Sequence, residues 1–231
     1  KENKIAVILG LESMFHIDNN LDAIFDFYER GIRYASLTWN EENQLATGVA
    51  GDKNRGLTKL GIDAIRIMEE LGILLDVSHL NEKSFWDIIK HSKNSVFASH
   101  SNVYSLCNHP RNLKDEQIKA LKEVGGVIGI NGWVDFVDIE EPSVEKLANH
   151  VDYLVDMIGI DHVACGFDFC DFVEEDSVDN FPKSKRDIKG FHDSRDIQNI
   201  FVELKRRGYS EDDMKKIAYE NLMRFYKKVL I

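Results

Sequence analysis

Short, continuous runs of β-branched and other apolar residues alternate along this chain with amphipathic segments of helical length, and that alternation restricts the fold more than any other feature. The apolar runs are Ile5 to Leu11, Ile32 to Trp39, Ile73 to Leu80, Ser95 to Ser101, Gly126 to Asn131 and His162 to Phe169. Strands covered on both faces read this way, because neither face has to be polar. Between them, Leu21 to Arg30, Thr58 to Leu71, Glu82 to His91, Asp115 to Val124 and Ser143 to Met157 carry the amphipathic pattern of helices. Strand then helix, repeated, predicts an α/β fold of parallel βαβ units rather than a meander.

Punctuation agrees with these boundaries. Gly31, Gly72, Gly125 and Gly159 each follow an apolar-periodic stretch, where a glycine just past a helix end belongs, and Asn81 and Ser143 stand where N-caps are expected. Cys170 to His192 is charged and irregular and reads as a long surface loop; Ser194 to Arg207 and Ser210 to Leu230 read as closing helices. At 231 residues, with no repeat and no low-complexity tract, the chain is expected to be a single domain over 1-231. It opens on Lys1 and enters an apolar run almost at once, so the expectation is that an N-terminal strand is missing.

Composition excludes several classes. A net charge of −11 without a Lys/Arg block offers no basic face for nucleic acid. Three cysteines, Cys107, Cys165 and Cys170, cannot all pair and form no CxxC knuckle, which argues against a disulfide framework and for a reducing compartment. No stretch is long and apolar enough for a membrane span, so no membrane partner is expected and the expected location is the cytoplasm, although a missing N-terminus would hide a targeting signal.

Chemistry gathers at the predicted strand ends. Leu74-Leu75-Asp76-Val77-Ser78-His79 and Val96-Phe97-Ala98-Ser99-His100 are both apolar strands ending in Ser-His, with one helix between them. In a right-handed βαβ unit the two histidines leave the C-terminal ends of neighbouring strands about 4.8 Å apart, close enough to share a metal ion. One histidine at a strand end is more often a hydrogen-bonded rim residue than a ligand. Two in matched positions, with Glu12 ending Ile8-Leu9-Gly10-Leu11 and Asp168 ending Val163 to Phe167, favour the metal reading, because an acid at a buried strand end is costly unless paired or bound to a cation. The rival role for Asp168 is a helix N-cap. His16-Ile17-Asp18 has an HxD spacing but lies beyond the strand end and reads as surface; His91, His109, His150 and His162 carry less signal.

At these residues the chain resembles the membrane (renal) dipeptidase family of zinc peptidases. The resemblance runs from about Ile5 to Arg224 through Gly31-Ile32-Arg33-Tyr34, Leu37-Thr38, Gly56-Leu57-Thr58 with Gly61, Asp76-Val77-Ser78-His79, Ser99-His100-Ser101-Asn102, Pro110-Arg111-Asn112-Leu113, Gly125 to Gly129, Asp161-His162-Val163 and Gly166-Phe167-Asp168-Phe169. It implies a (β/α)8 TIM-type barrel of about 250 residues, with a binuclear zinc site hydrolysing dipeptides. By position, Glu12 resembles the carboxylate bridging two metals and His79 and His100 the imidazole ligands of the second. Arg111 resembles the guanidinium holding the substrate carboxylate, Asp168 the acid at the substrate amine, and Asn131 is expected to help bind substrate.

Three departures from the family pattern stand out. The His-x-Asp pair that supplies the first metal's ligands has no counterpart ahead of Glu12, so two Zn2+ are expected in a complete protein and at most one well-ligated site in this chain. Trp39 stands where many relatives have histidine. Asp168-Phe169-Cys170-Asp171 replaces Asp-Phe-Asp-Gly, which implies a reshaped rim. The expectation is therefore a metal-dependent dipeptidase, with a homodimer as the assembly to test for. Its rivals are a non-catalytic barrel lacking the first metal site, and a related metal-dependent hydrolase acting on another small amide or ester.

Overall fold

The computed structural model describes residues 7–170 and 187–229 and has the alternating α/β organisation that the sequence predicts. The chain divides into two compact units, one comprising residues up to Phe97 with those from Phe225 onward, the other Ala98–Arg224.

In the first unit the order is β1 (Leu9–Glu12), α1 (Ala23–Glu29), β2 (Ile32–Ser36), α2 (Lys59–Leu71), β3 (Leu74–Asp76) and α3 (Glu82–His91). The strands form a parallel sheet in the order β1-β2-β3. Its register sets one row of residues level: Glu12 pairs with Ser36, Ser36 with Asp76, and Asp76 bridges Phe97 in parallel. Packing makes this sheet stable, since Ile24 of α1, Ala64, Ile65 and Met68 of α2, and Phe85 and Ile88 of α3 are all buried together with Leu74 and Leu75. Each large apolar side chain so buried contributes about 1.5–3 kcal/mol. Gly72 ends α2 in the left-handed region at φ +72°, returning its N–H to the Met68 and Glu69 carbonyls, and the chain turns at once into β3. Asn81 caps α3 by accepting the Ser84 N–H, as the sequence predicts.

The second unit holds α4 (Asp115–Glu123), β4 (Ile128–Ile130), α5 (Val134–Val137), α6 (Val144–Ile158), β5 (Val163–Cys165), α7 (Ile197–Arg206) and α8 (Glu211–Lys215). A π turn at Lys216–Glu220 leads into α9 (Asn221–Val229), whose residues up to Arg224 belong to this unit. β4 and β5 are parallel, with Gly129 opposite Ala164, and Ala98 bridges Ile128 on the other side. Two glycines let the backbones close in. A Cβ on Gly129 would lie 2.1 Å from the Ser99 carbonyl oxygen, and one on Gly166 would lie 1.9 Å from the same atom. α6 buries Leu147, Ala148, Val151, Leu154 and Ile158, and Arg207, just past α7, reaches Asp152 and Asn149 of α6.

The expected strands are shorter than their apolar runs, for a local reason. After Asp76, the carboxylate Oδ1 accepts both the Ser78 N–H and the Ser78 hydroxyl, so the backbone leaves the ladder and turns before His79. Within Ser95 to Ser101 the ladder bridges fall at Phe97 and Ala98, and the Ser101 N–H donates to the Gly129 carbonyl. α5 has no counterpart among the helices that the sequence predicts, and the π turn falls inside the expected closing helix Ser210 to Leu230. Residues 1–6, which include the start of the first apolar stretch, 171–186 of the expected loop and 230–231 lie outside the described residues. No disulfide joins the three cysteines among the described residues, and burial pushes the Cys165 thiol up to about 12. No helix among the described residues is long and apolar enough to cross a membrane.

Candidate active site

In the first unit, Glu12 is the last residue of β1 and stands level with Asp76 across the sheet. The next residue, Ser13, is held at φ +83°, with its N–H donated to the Ser36 hydroxyl at 2.9 Å. A non-glycine residue there costs about 1–3 kcal/mol and persists only where the surroundings enforce it. His79 lies three residues beyond Asp76, 5 % exposed, and its Nε2 is 2.6 Å from Glu12 Oε1.

The other ring nitrogen decides what that contact means. His79 Nδ1 is 3.0 Å from Asn40 Oδ1, an oxygen that can only accept, so the neutral ring carries its proton on Nδ1. Nε2 then presents a lone pair to a carboxylate oxygen. Two acceptors at that distance share a proton, which a bound cation would displace, and an imidazole whose far N–H is held by an oxygen is the usual arrangement of a metal ligand. The donor chemistry therefore fits a divalent metal ion.

In the second unit, His100 is 8 % exposed; its Nδ1 lies 2.6 Å from the Ser99 hydroxyl and its Nε2 4.0 Å from Asp168 Oδ2. Asp168, a predicted site residue, itself adopts φ +60°. Asn131 is fully buried. Its side-chain amide donates to Asp168 Oδ2 and to the His100 carbonyl, both at 3.4 Å, while its Oδ1 accepts the Trp133 N–H. Asn102 fixes Asn131 from behind, accepting its backbone N–H and donating to its carbonyl. Asn131 thus sits as a support for Asp168 and His100. Arg111 is 6 % exposed, with its guanidinium carbon 5.3 Å from the Phe136 ring centroid.

In the first unit Glu12 and His79 offer a metal ion one carboxylate and one imidazole, and in the second unit His100 offers a further imidazole. Both histidines follow residues that face each other, Asp76 and Phe97 being bridge partners and each standing three positions ahead of its histidine. The HxD pair His16 and Asp18 is exposed. Sequence reasoning missed Asn40, whose signal was faint: a polar residue directly after the expected strand Ile32 to Trp39. It also gave no role to His109 or to Phe136 of α5. Trp39 lies beside His79, ring centroids 6.2 Å apart.

Carboxylate and imidazole side chains just beyond parallel strands are the donor types of metal-dependent α/β hydrolases. The chain belongs to the membrane dipeptidase family, peptidase family M19, whose model matches residues 1–230. It is 33% identical over 241 residues to an uncharacterized Klebsiella pneumoniae protein encoded in the pqqA 5′ region, covering 99% of this chain and 84% of that protein. It is 31% identical to a dipeptidase of Clonostachys rogersoniana, covering 97% of this chain and 55% of the relative. Against that relative, and against an uncharacterized dipeptidase of Schizosaccharomyces pombe, the chain spans about half the length. Among solved structures it is similar to a metallopeptidase from Rhodobacter sphaeroides liganded with a phosphinate mimic of the dipeptide L-Ala-D-Ala. That match has a TM-score of 0.84 and 29% identity, and covers 96% of this chain and 63% of the other. An amidohydrolase from Pseudomonas aeruginosa shares the fold, with a TM-score of 0.90 at 23% identity and coverage of 96% and 72%.

Proposed function

We propose that this chain hydrolyses the peptide bond of dipeptides with the help of a divalent metal ion, zinc being the expected one, held by Glu12, His79 and His100. The observation that carries the reading is the 2.6 Å approach of His79 Nε2 to Glu12 Oε1, with Asn40 Oδ1 at the other ring nitrogen, in a chain of a metallopeptidase family. A (β/α)8 barrel is the architecture proposed with it, supported by the parallel pairs in both units and by the similarity to the Rhodobacter structure.

A divalent cation bound there would supply Lewis acidity and lower the pKa of a water into the neutral range. Glu12 and His79 hold the cation, and Asn40 keeps the His79 proton on Nδ1 so that Nε2 stays available. Asp168, oriented by Asn131, receives the free amine of the substrate and carries a proton toward the leaving nitrogen. Arg111 offers its planar fork to the C-terminal carboxylate. A site that reads an amine and a carboxylate together selects short substrates, and a dipeptide presents both.

The test is metal content by plasma mass spectrometry together with turnover of a dipeptide panel. The expected result is bound zinc and dipeptide hydrolysis, both lost in His79→Ala and His100→Ala. Turnover of lactones or phosphotriesters in place of dipeptides would favour a related hydrolase. A purified, folded chain holding no metal and turning over nothing would leave a non-catalytic protein.

A further inference from the structure

The loop from Val103 to Leu113 is closed on itself in the second unit. Val103 bridges Leu113 in parallel, Tyr104 N–H donates to the Leu113 carbonyl, and Leu113 N–H donates to the Asn102 carbonyl. The same loop is fastened to α5, because Asn112 and Asn102 both donate their side-chain amides to the Phe136 carbonyl. Phe136 is thereby fixed as a platform with two groups beside it. The Arg111 guanidinium carbon lies 5.3 Å from its ring centroid, and the His109 ring stacks against it with centroids 4.5 Å apart.

His109 has a determined tautomer. Its Nδ1 accepts the Arg111 backbone N–H at 3.2 Å, a turn that closes the loop locally, so the neutral ring must carry its proton on Nε2. Burial, and next the Arg111 charge, hold this histidine below its ordinary value, with the Asp135 carboxylate acting in the opposite sense. The half-buried ring is thus a neutral donor next to a buried arginine, and no step of the proposed reaction uses it.

We infer that His109 Nε2–H is a second donor for the substrate's C-terminal carboxylate, forming with Arg111 a two-residue clamp mounted on Phe136. The inference rests on the reading that Arg111 receives that carboxylate. A guanidinium supplies charge and a planar fork, and a neutral N–H beside it adds a bond with a fixed direction at no further cost in buried charge. The clamp favours ligands ending in a free carboxylate over those ending in a carboxamide.

Two substitutions separate the donor from the loop geometry. His109→Asn keeps an acceptor for the Arg111 N–H, since an Asn side-chain oxygen makes the same turn, but removes the distal donor. His109→Gln restores a donor near the place of Nε2. The zinc-loaded protein would be titrated calorimetrically with a phosphinate dipeptide mimic bearing a free carboxylate, and with its C-terminal carboxamide. His109→Asn is expected to weaken the carboxylate form about tenfold, the size of one hydrogen bond to a charged group. The carboxamide should change by less than about twofold, and His109→Gln should recover most of the loss.

Equal affinity of His109→Asn and wild type for the carboxylate form would overturn the inference. So would equal weakening of both forms, or failure of the wild type to prefer the carboxylate. Because binding is read without turnover, an inactive wild type that still shows this pattern would sink the dipeptidase reading and leave the clamp standing.

Discussion

At the scale of single residues, candidate ligands are legible in the sequence and their supports are not. Glu12, His79, His100 and Asp168 stood out because carboxylates and imidazoles at the ends of apolar strands are chemically conspicuous. Asn40 did not, since an amide after a strand has many ordinary uses; only the fold brings its oxygen to 3.0 Å from His79 Nδ1. Its role gives a measurable expectation. Asn40→Ala removes the acceptor that holds the His79 proton, while the Asn40 carbonyl still accepts the Ala50 N–H, so the fold should survive. Zinc affinity, read by competition with a chromophoric chelator, is expected to fall by about 10–100-fold. His16→Ala, at an exposed histidine outside the site, should leave it unchanged. Equal affinity in Asn40→Ala and wild type would remove Asn40 from the metal centre.

At the scale of elements, length decided what could be read. α2, α3, α4 and α6 are long enough for an apolar face to recur, whereas α5 spans only Val134–Val137 and shows no period. The cost of missing α5 was functional, because it carries the platform under Arg111. α6 holds a further group whose behaviour follows from its packing. His150 is buried; its Nε2 lies 2.9 Å from the Val137 carbonyl and its Nδ1 accepts the Val103 N–H at 3.1 Å, so the ring ties α6 to α5 and to the loop after His100 in its neutral form. Burial lowers its pKa from the ordinary value, outweighing the opposing Val137 carbonyl and Asp138 carboxylate. The sign of the pH effect follows. An unfolded chain protonates this histidine near pH 6.5, the folded one only at lower pH, so the unfolded state binds the extra proton first and stability falls as pH drops below about 6.5. His150→Gln retains a donor and an acceptor without titrating. Urea midpoints between about pH 7 and about pH 5 should therefore fall more steeply in the wild type than in the variant. Parallel slopes would mean that His150 does not govern the acid response.

Across the whole chain, the sequence made the alternation of strand and helix plain, but not how closely neighbouring backbones approach. Apolar periodicity reports which faces are covered; it says nothing of the distance between two main chains, which a missing Cβ decides. In the second unit Gly129 and Gly166 both face the Ser99 carbonyl, each two residues ahead of a site side chain, Asn131 and Asp168 respectively. Gly129 is buried in β4, and the oxygen its Cβ would meet is main chain, which cannot rotate aside as a flexible side chain can. Gly129→Ala therefore has to push β4 away from Ser99, adjacent to His100, and disturb the Asn131 amide that supports Asp168. Overpacking of this kind costs about 1–3 kcal/mol, and occasionally more. Denaturant unfolding should show that loss as a lower midpoint with an unchanged slope. Dipeptide turnover should fall by more than the unfolded fraction explains, because the strand end moves along with the core. Gly208→Ala, at φ +98° with nothing within 4 Å of the added methyl carbon, supplies the contrast: backbone strain without a clash, and no effect on turnover per folded molecule. Equal turnover per folded molecule in Gly129→Ala and wild type would show that the close approach serves stability alone.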